Sequence, residues 1–321
     1  KSERRTVNVE GGATVEEFAK FALDYDADRH FFLAHYFRDT YDQALRNYPF
    51  INTNIQIKRI QVWVTNRTNN IQNIQDTRNI VAIQDLGESN VPGNIGLDTP
   101  PGGFFNQPAG AFPDNLVNDF NPFGINGNGE SILNQAIRDI ATVDQGFGTV
   151  TVSEGTDYAK LENARQLKPS EYTVNTQLGY ISLNQRLSND EVLGVAFQYT
   201  INGEVFQVGE FANDGVNATN DPGTEEPTTG TNSRASQNLV VKLLKSTITN
   251  VQEPIWDLMM KNIYSLNAYQ LEREDFRMNI LYTDPQPLNY IKPVEGTTLP
   301  EDVNETPLLR VFRLDELNTN N

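Results

Sequence analysis

Residues Val195 to Phe211 leave the chain little conformational freedom. Val195–Ile201 alternates Val, Phe, Tyr and Ile, Asn202-Gly203 supplies the positive φ angles of a type I′ turn, and Glu204–Phe211 returns. A two-residue loop fixes the register, so Tyr199 faces Phe206 and Phe197 faces Val208. Four large apolar side chains then stack on one face, and that face must be core.

Thr14–Thr65 reads helix, helix, strand. Thr14-Val15-Glu16-Glu17 has the form of a capping box, with Phe18, Phe21, Ala22 and Tyr25 following at helical spacing. A second helical pattern places Leu33, Phe37, Tyr41, Ala44, Leu45 and Tyr48 on one side, ended by Pro49. Ile55–Thr65 switches to period two, with a change of phase that predicts a bulge near Lys58-Arg59. Asn79–Leu86 reads as a short strand expected to pair with Ile60–Thr65. Between Gly87 and Glu130 a Gly-, Pro- and Asn-rich stretch carries Phe104, Phe105, Phe112, Phe120 and Phe123. It reads as a long ordered loop pinned by aromatic anchors, and those five Phe are the candidate partner contacts.

Ser131–Val143 and Tyr158–Leu167 both have helical apolar spacing. Tyr172–Val174, Tyr180–Leu183, Asn238–Ile248 and Phe276–Tyr282 read as strands, and Leu308–Leu317 as a last strand or turn. Pro254 is expected to open a helix over Ile255–Leu266. Ala212–Ser236 has almost no apolar residues and reads as a mobile acidic loop. The fold class expected is α+β, with short antiparallel, sandwich-like sheets, several helices and long ordered loops. Two domains are expected, 1–155 and a mainly β 156–321, with the boundary near Gly155.

Composition excludes several functions. The 321 residues carry 25 Lys and Arg against 42 Asp and Glu, a net charge of −17. That field disfavours nucleic acid and anionic membrane surfaces, so no nucleic-acid partner is expected. Cysteine is absent, which removes disulfides, zinc–thiolate sites and a Cys nucleophile. No apolar run approaches a transmembrane helix, and the opening Lys1-Ser2-Glu3-Arg4-Arg5 has no leader character. The chain is expected to be an excised soluble piece of a longer protein.

Catalytic signatures are missing. His30 and His35 do not share a helix face well and lack an HExxH context. Asp24, Asp26 and Asp28 match the opening of a calcium loop. Arg29 then stands where a glycine must turn and His35 where a bidentate Glu belongs, so a capping role for Asp28 is the preferred reading. No GxSxG, P-loop or dinucleotide fingerprint occurs, and no pair of acids singles itself out for glycoside hydrolysis. No enzyme, catalytic residue, cofactor or resident metal is expected.

Several long strings are idiosyncratic: ALDYDADRHFFLAHYFRDTYDQALRNYPFIN (Ala22–Asn52), IQVWVTNR (Ile60–Arg67), TRNIVAIQDLGE (Thr77–Glu88), KPSEYTVNTQLGYISLNQRLSNDEVLGVAFQYT (Lys168–Thr200), PIWDLMMKNIYSL (Pro254–Leu266) and DFRMNILYTDP (Asp275–Pro285). They closely resemble the SprA (Sov) family, the outer-membrane translocon of the type 9 secretion system of Bacteroidetes, which also serves gliding motility. The resemblance implies a soluble insertion of a larger outer-membrane β-barrel protein, standing in water beside the pore. The extracellular face is favoured, because barrels keep long insertions there. Implied partners are the rest of the SprA barrel, the PorV shuttle protein, a plug protein, and secreted cargo with C-terminal sorting domains. The competing expectation is a cell-surface carbohydrate-binding or adhesin module, recognisable by an exposed aromatic platform on a strand face.

Overall fold

A computed structural model of the chain describes residues 7–10, 13–16, 19–47, 49–67, 77–84, 86, 125, 133–149, 151–213, 237–251, 253–266, 277–282 and 287–312. In chain order the strands are β1 (Val7–Glu10), β2 (Ala13–Glu16), β3 (His30–Phe32), β4 (Ile55–Val64), β5 (Thr77–Ile83), β6 (Tyr158–Gln166), β7 (Tyr172–Asn175), β8 (Tyr180–Leu183), β9 (Leu193–Ile201), β10 (Glu204–Val208) and β11 (Leu239–Lys245). The helices are α1 (His35–Leu45), α2 (Ile255–Leu258) and α3 (Leu308–Val311). The protein is α+β. Contacts group it into two units, one of Ala22–Thr40 and Thr53–Ile263, the other of Lys1–Phe21, Tyr41–Asn52 and Tyr264–Asn321.

In the larger unit β10–β9–β11–β5–β6–β4 form one sheet, and a further pairing of β9 with β4 closes five of these strands into a ring. β10 stays outside the ring, hairpinned to β9 through Asn202 (φ 50°) and Gly203 (φ 93°). The register is the expected one, Tyr199 opposite Phe206 and Phe197 opposite Val208. β11 runs parallel to β5, and the other ring pairings are antiparallel. The bulge expected in β4 falls between Ile57 and Arg59. Ring strands β4 and β5 come from before Gly155, β6, β9 and β11 from after it.

Gly194 reveals the inside of the ring. A Cβ there would meet Val241 of β11 and also Ala82 and Ile80 of β5, a strand that is not its neighbour, so the contact crosses the interior. Trp63 stands opposite Gly194 and shares that face. Ala82, Ala159 and Ala196 lie on it too, small enough to leave room for the indole. The outer face is also buried. Phe37 of α1 packs its ring 6.4 Å from that of Phe197, and β3–β8–β7 form a second, three-stranded sheet. Burial on both faces explains why every residue of β11 is buried and why its sequence is almost continuously apolar.

α1 meets the turn between β7 and β8 at Gly179, whose φ is 63° and whose Cβ would lie 2.1 Å from the Phe37 ring. Gly179→Ala therefore combines a left-handed backbone with overpacking, an expected loss of about 2–3 kcal/mol by denaturant midpoint. A Phe37→Leu background should relieve the clash and return part of that loss.

Several expected elements differ. The expected helix does not start at Thr14: Ala13–Glu16 is β2, paired with β1, and the sequence Gly11-Gly12 between them is a hairpin signal that outweighs the capping box. Tyr158–Gln166 is strand β6, not a helix. Ala159 and Leu161 keep period two, and Asn163, at φ 52°, brings Ala164 back to the same face across a bulge. That phase reset imitates helical spacing. β5 pairs with β6 and β11 rather than with β4, because β6 lies between them.

The helix expected over Ser131–Val143 is replaced, within the described 133–149, by two 3₁₀ turns, Gln135–Arg138 and Val143–Phe147. Asn134 and Asp139 side chains accept backbone N–H groups, and the Thr142 hydroxyl donates to the Ala136 carbonyl, drawing bonds away from an α-helical ladder. The helix expected after Pro254 lasts one turn, since Met259 turns extended to bridge Phe31 and the Met260 N–H donates to the His30 carbonyl. Arg277–Leu281 lies in no strand, and Leu308–Val311 is helical.

Candidate functional site

Several charged side chains are buried around the ring, and most are met by hydrogen-bond partners. Arg138, from the first 3₁₀ turn, meets Glu210 through two bonds, Nη1–Oε2 at 2.5 Å and Nη2–Oε1 at 2.6 Å. The same carboxylate accepts the Val240 N–H at 2.8 Å, and Arg138 also donates to the Asn238 carbonyl. Arg78 donates to the Ala212 and Gln237 carbonyls. These contacts hold the 209–213 and 237–239 segments against the ring.

Lys242 and Lys245 are buried on β11. Lys242 donates to the Gln84 carbonyl at 2.7 Å. Lys245 donates to the carbonyls of Ser188, Asn189 and Glu191 at 2.8–3.2 Å, folding that loop over the ring. Desolvation pushes its ammonium below the usual lysine range, with Asp28 and Glu191 opposing. Sequence reasoning passed over these cations, although two lysines inside the apolar run NLVVKLLKSTI are a visible anomaly.

The acidic triplet does not assemble. Asp24 is exposed, Asp26 contacts Arg29 at 2.9 Å and His30 at 3.3 Å, and the Asp28 carboxylate lies 3.6 Å from Arg186. Asp28 caps no helix: its φ is 57°, its N–H donates to Met259 Sδ, and β3 follows. Among the described residues no group of three or more His, Cys, Asp or Glu is placed to hold a metal. Phe104, Phe105, Phe112, Phe120 and Phe123, and the acidic loop from residue 214 to 236, lie outside the described residues.

Both histidines serve as buttresses. His30 Nδ1 is 2.7 Å from Ser182 Oγ, and burial lowers its pKa. His35 Nε2 donates to the Pro254 carbonyl at 2.9 Å. Burial, then the charge of Lys242, push the His35 imidazole from 6.5 down to about 4. The unfolded chain thus takes its proton first. This group's stabilisation is complete above neutral pH and is lost as pH falls from about 6.5 to about 4, roughly 3 kcal/mol in all. His35→Gln keeps a donor and should flatten the urea midpoint against pH over that window; an unchanged slope would reject the assignment.

A cavity of about 30 Å³ beside α2, lined by Phe31, Leu244, Ile255, Trp256 and Met259 among others, is too small for a substrate. Large apolar side chains stand in solvent instead: Val205, Ile248 and Val251 in the larger unit, and Phe50, Leu281, Tyr282, Val294 and Phe312 in the smaller. The hairpin aromatics offer no surface platform: Phe197 and Tyr199 are buried, and the half-buried Phe206 stacks on Tyr199.

These residues define a scaffold whose buried charges tie loops to a sheet. Residues 1–190, more than half of the chain, match the SprA_N family, described as motility related/secretion protein, and the chain belongs to that family. It is a secretion and motility family, not an enzyme family. No curated protein matches the chain.

Proposed function

We propose that the chain is a water-exposed, non-catalytic region of the type 9 secretion outer-membrane translocon, on its extracellular face. It caps or braces the protein-conducting barrel and contacts partners or cargo. Membership of a secretion and motility family over residues 1–190 carries the reading. PorV, the plug protein and sorting-domain cargo are the partners proposed, and Phe104, Phe105, Phe112, Phe120 and Phe123 are further contacts.

These 321 residues contain no cysteine, so a single cysteine placed here in a full-length protein freed of any other cysteines allows a clean test. Glu204→Cys at the tip of the β9–β10 hairpin, in the full-length protein, should react with a membrane-impermeant maleimide on intact cells. Reaction only after outer-membrane permeabilisation would move the region to the periplasmic face. A full-length protein absent from the envelope would end the proposal. Deletion of 104–123 should reduce secretion, and undiminished secretion would remove those Phe from the contact surface.

A further inference from the structure

Where β5 ends, two buried oxygens have no partner. Asp157, in the turn before β6, is 2% exposed; its Oδ2 accepts the Ser153 N–H at 2.7 Å, while Oδ1 makes no hydrogen bond. Gln84, just past β5, is also 2% exposed, and its Oε1 is likewise unpartnered. Gln84 links two acids. Its N–H donates to the Asp157 carbonyl at 2.9 Å, and its Nε2 lies 3.4 Å from Glu253 Oε2. Glu253 otherwise accepts from Asn250 Nδ2 at 3.2 Å.

Among the described residues no cationic side chain offsets these carboxylates. Burial pushes the Asp157 pKa up, and burial with the charge of Asp157 does the same for Glu253. The ammonium of Lys242 is directed at the Gln84 carbonyl. A bridging water could donate to two acceptors, but it would leave both charges in place. A cation satisfies the acceptors and neutralises the charges together.

We propose that Asp157, Gln84 and Glu253 form a binding site for a hard divalent cation, with calcium the best fit. The donors are all oxygen: Asp157 Oδ1, Gln84 Oε1 and a Glu253 carboxylate oxygen, whose long 3.4 Å contact with Gln84 Nε2 is given up on binding. Three side chains from three separate segments, one of them partly exposed and open to water ligands, suit a large and irregular coordination sphere. Magnesium demands a tighter octahedron. With two carboxylates and one amide, affinity falls in the range of about 10⁻⁴–10⁻³ M. The bound ion joins the entry to α2 to the end of β5 and the start of β6.

Calcium alone is the probe, on the whole 321-residue chain. Thermal unfolding in about 5 mM CaCl2 against EGTA should show a rise in Tm of about 3 °C. An equal concentration of MgCl2 should give a smaller one. Glu253→Gln should cut the calcium response to less than half, and Asp157→Asn should abolish it. No calcium-dependent rise in the wild-type chain overturns the site, as does a full response in Glu253→Gln. Glu253 is partly exposed, so its variant decides the matter even if Asp157→Asn fails to fold.

Discussion

Arg138→Met is expected to destabilise the folded chain by about 3–5 kcal/mol. Glu210 is 1% exposed and keeps only the Val240 N–H once the guanidinium is gone. The loss measures a buried carboxylate left with one backbone N–H and the more distant charge of Arg78, not the worth of the ion pair. Arg138→Met with Glu210→Leu removes both charges and should recover most of it, a non-additivity characteristic of directly coupled groups. Urea titrations of the four members of the cycle test this. A single-mutant cost below about 1 kcal/mol would mean that the pair is not what fastens the 3₁₀ turns beside β10 and β11.

Trp63→Ala should cost a similar amount, about 3–5 kcal/mol. The indole fills the ring interior opposite Gly194, and the alanines on that face are too short to close over the space it leaves. Trp63→Phe should cost clearly less. It keeps most of the volume and removes Nε1–H, which is buried without a hydrogen-bond partner. The alanine variant should also lose near-ultraviolet circular dichroism while the far-ultraviolet spectrum persists. Equal costs for the two variants would place the indole outside the packed interior.

What could be read in the sequence was local. The β9–β10 register follows from a two-residue loop, and the β4 bulge from a phase change inside one strand. Helices were over-read where tertiary pairing competes with propensity. β6 shows helical spacing only because Asn163 resets its phase, and Met259 leaves α2 to meet β3. The partners of β5 could not be deduced, since the parallel strand β11 lies far along the chain. The same distance hides the buried pair, whose members are 72 residues apart. Lys242 and Lys245 were visible as anomalies, but their carbonyl partners were not.

Ring closure has a consequence for how the chain reaches its native state. Of the five staves, β4, β5 and β6 precede residue 190, whereas β9 and β11 follow it. The stretch that defines the family is therefore not a self-sufficient folding unit. While a nascent or translocating polypeptide has delivered only that much, β4 and β5 each present a bare hydrogen-bonding edge and an uncovered hydrophobic lining. Cooperative assembly must wait for β11, the stave that bridges β5 and β9, which makes slow, late-committed folding with a need for protection in transit an intrinsic property of this topology.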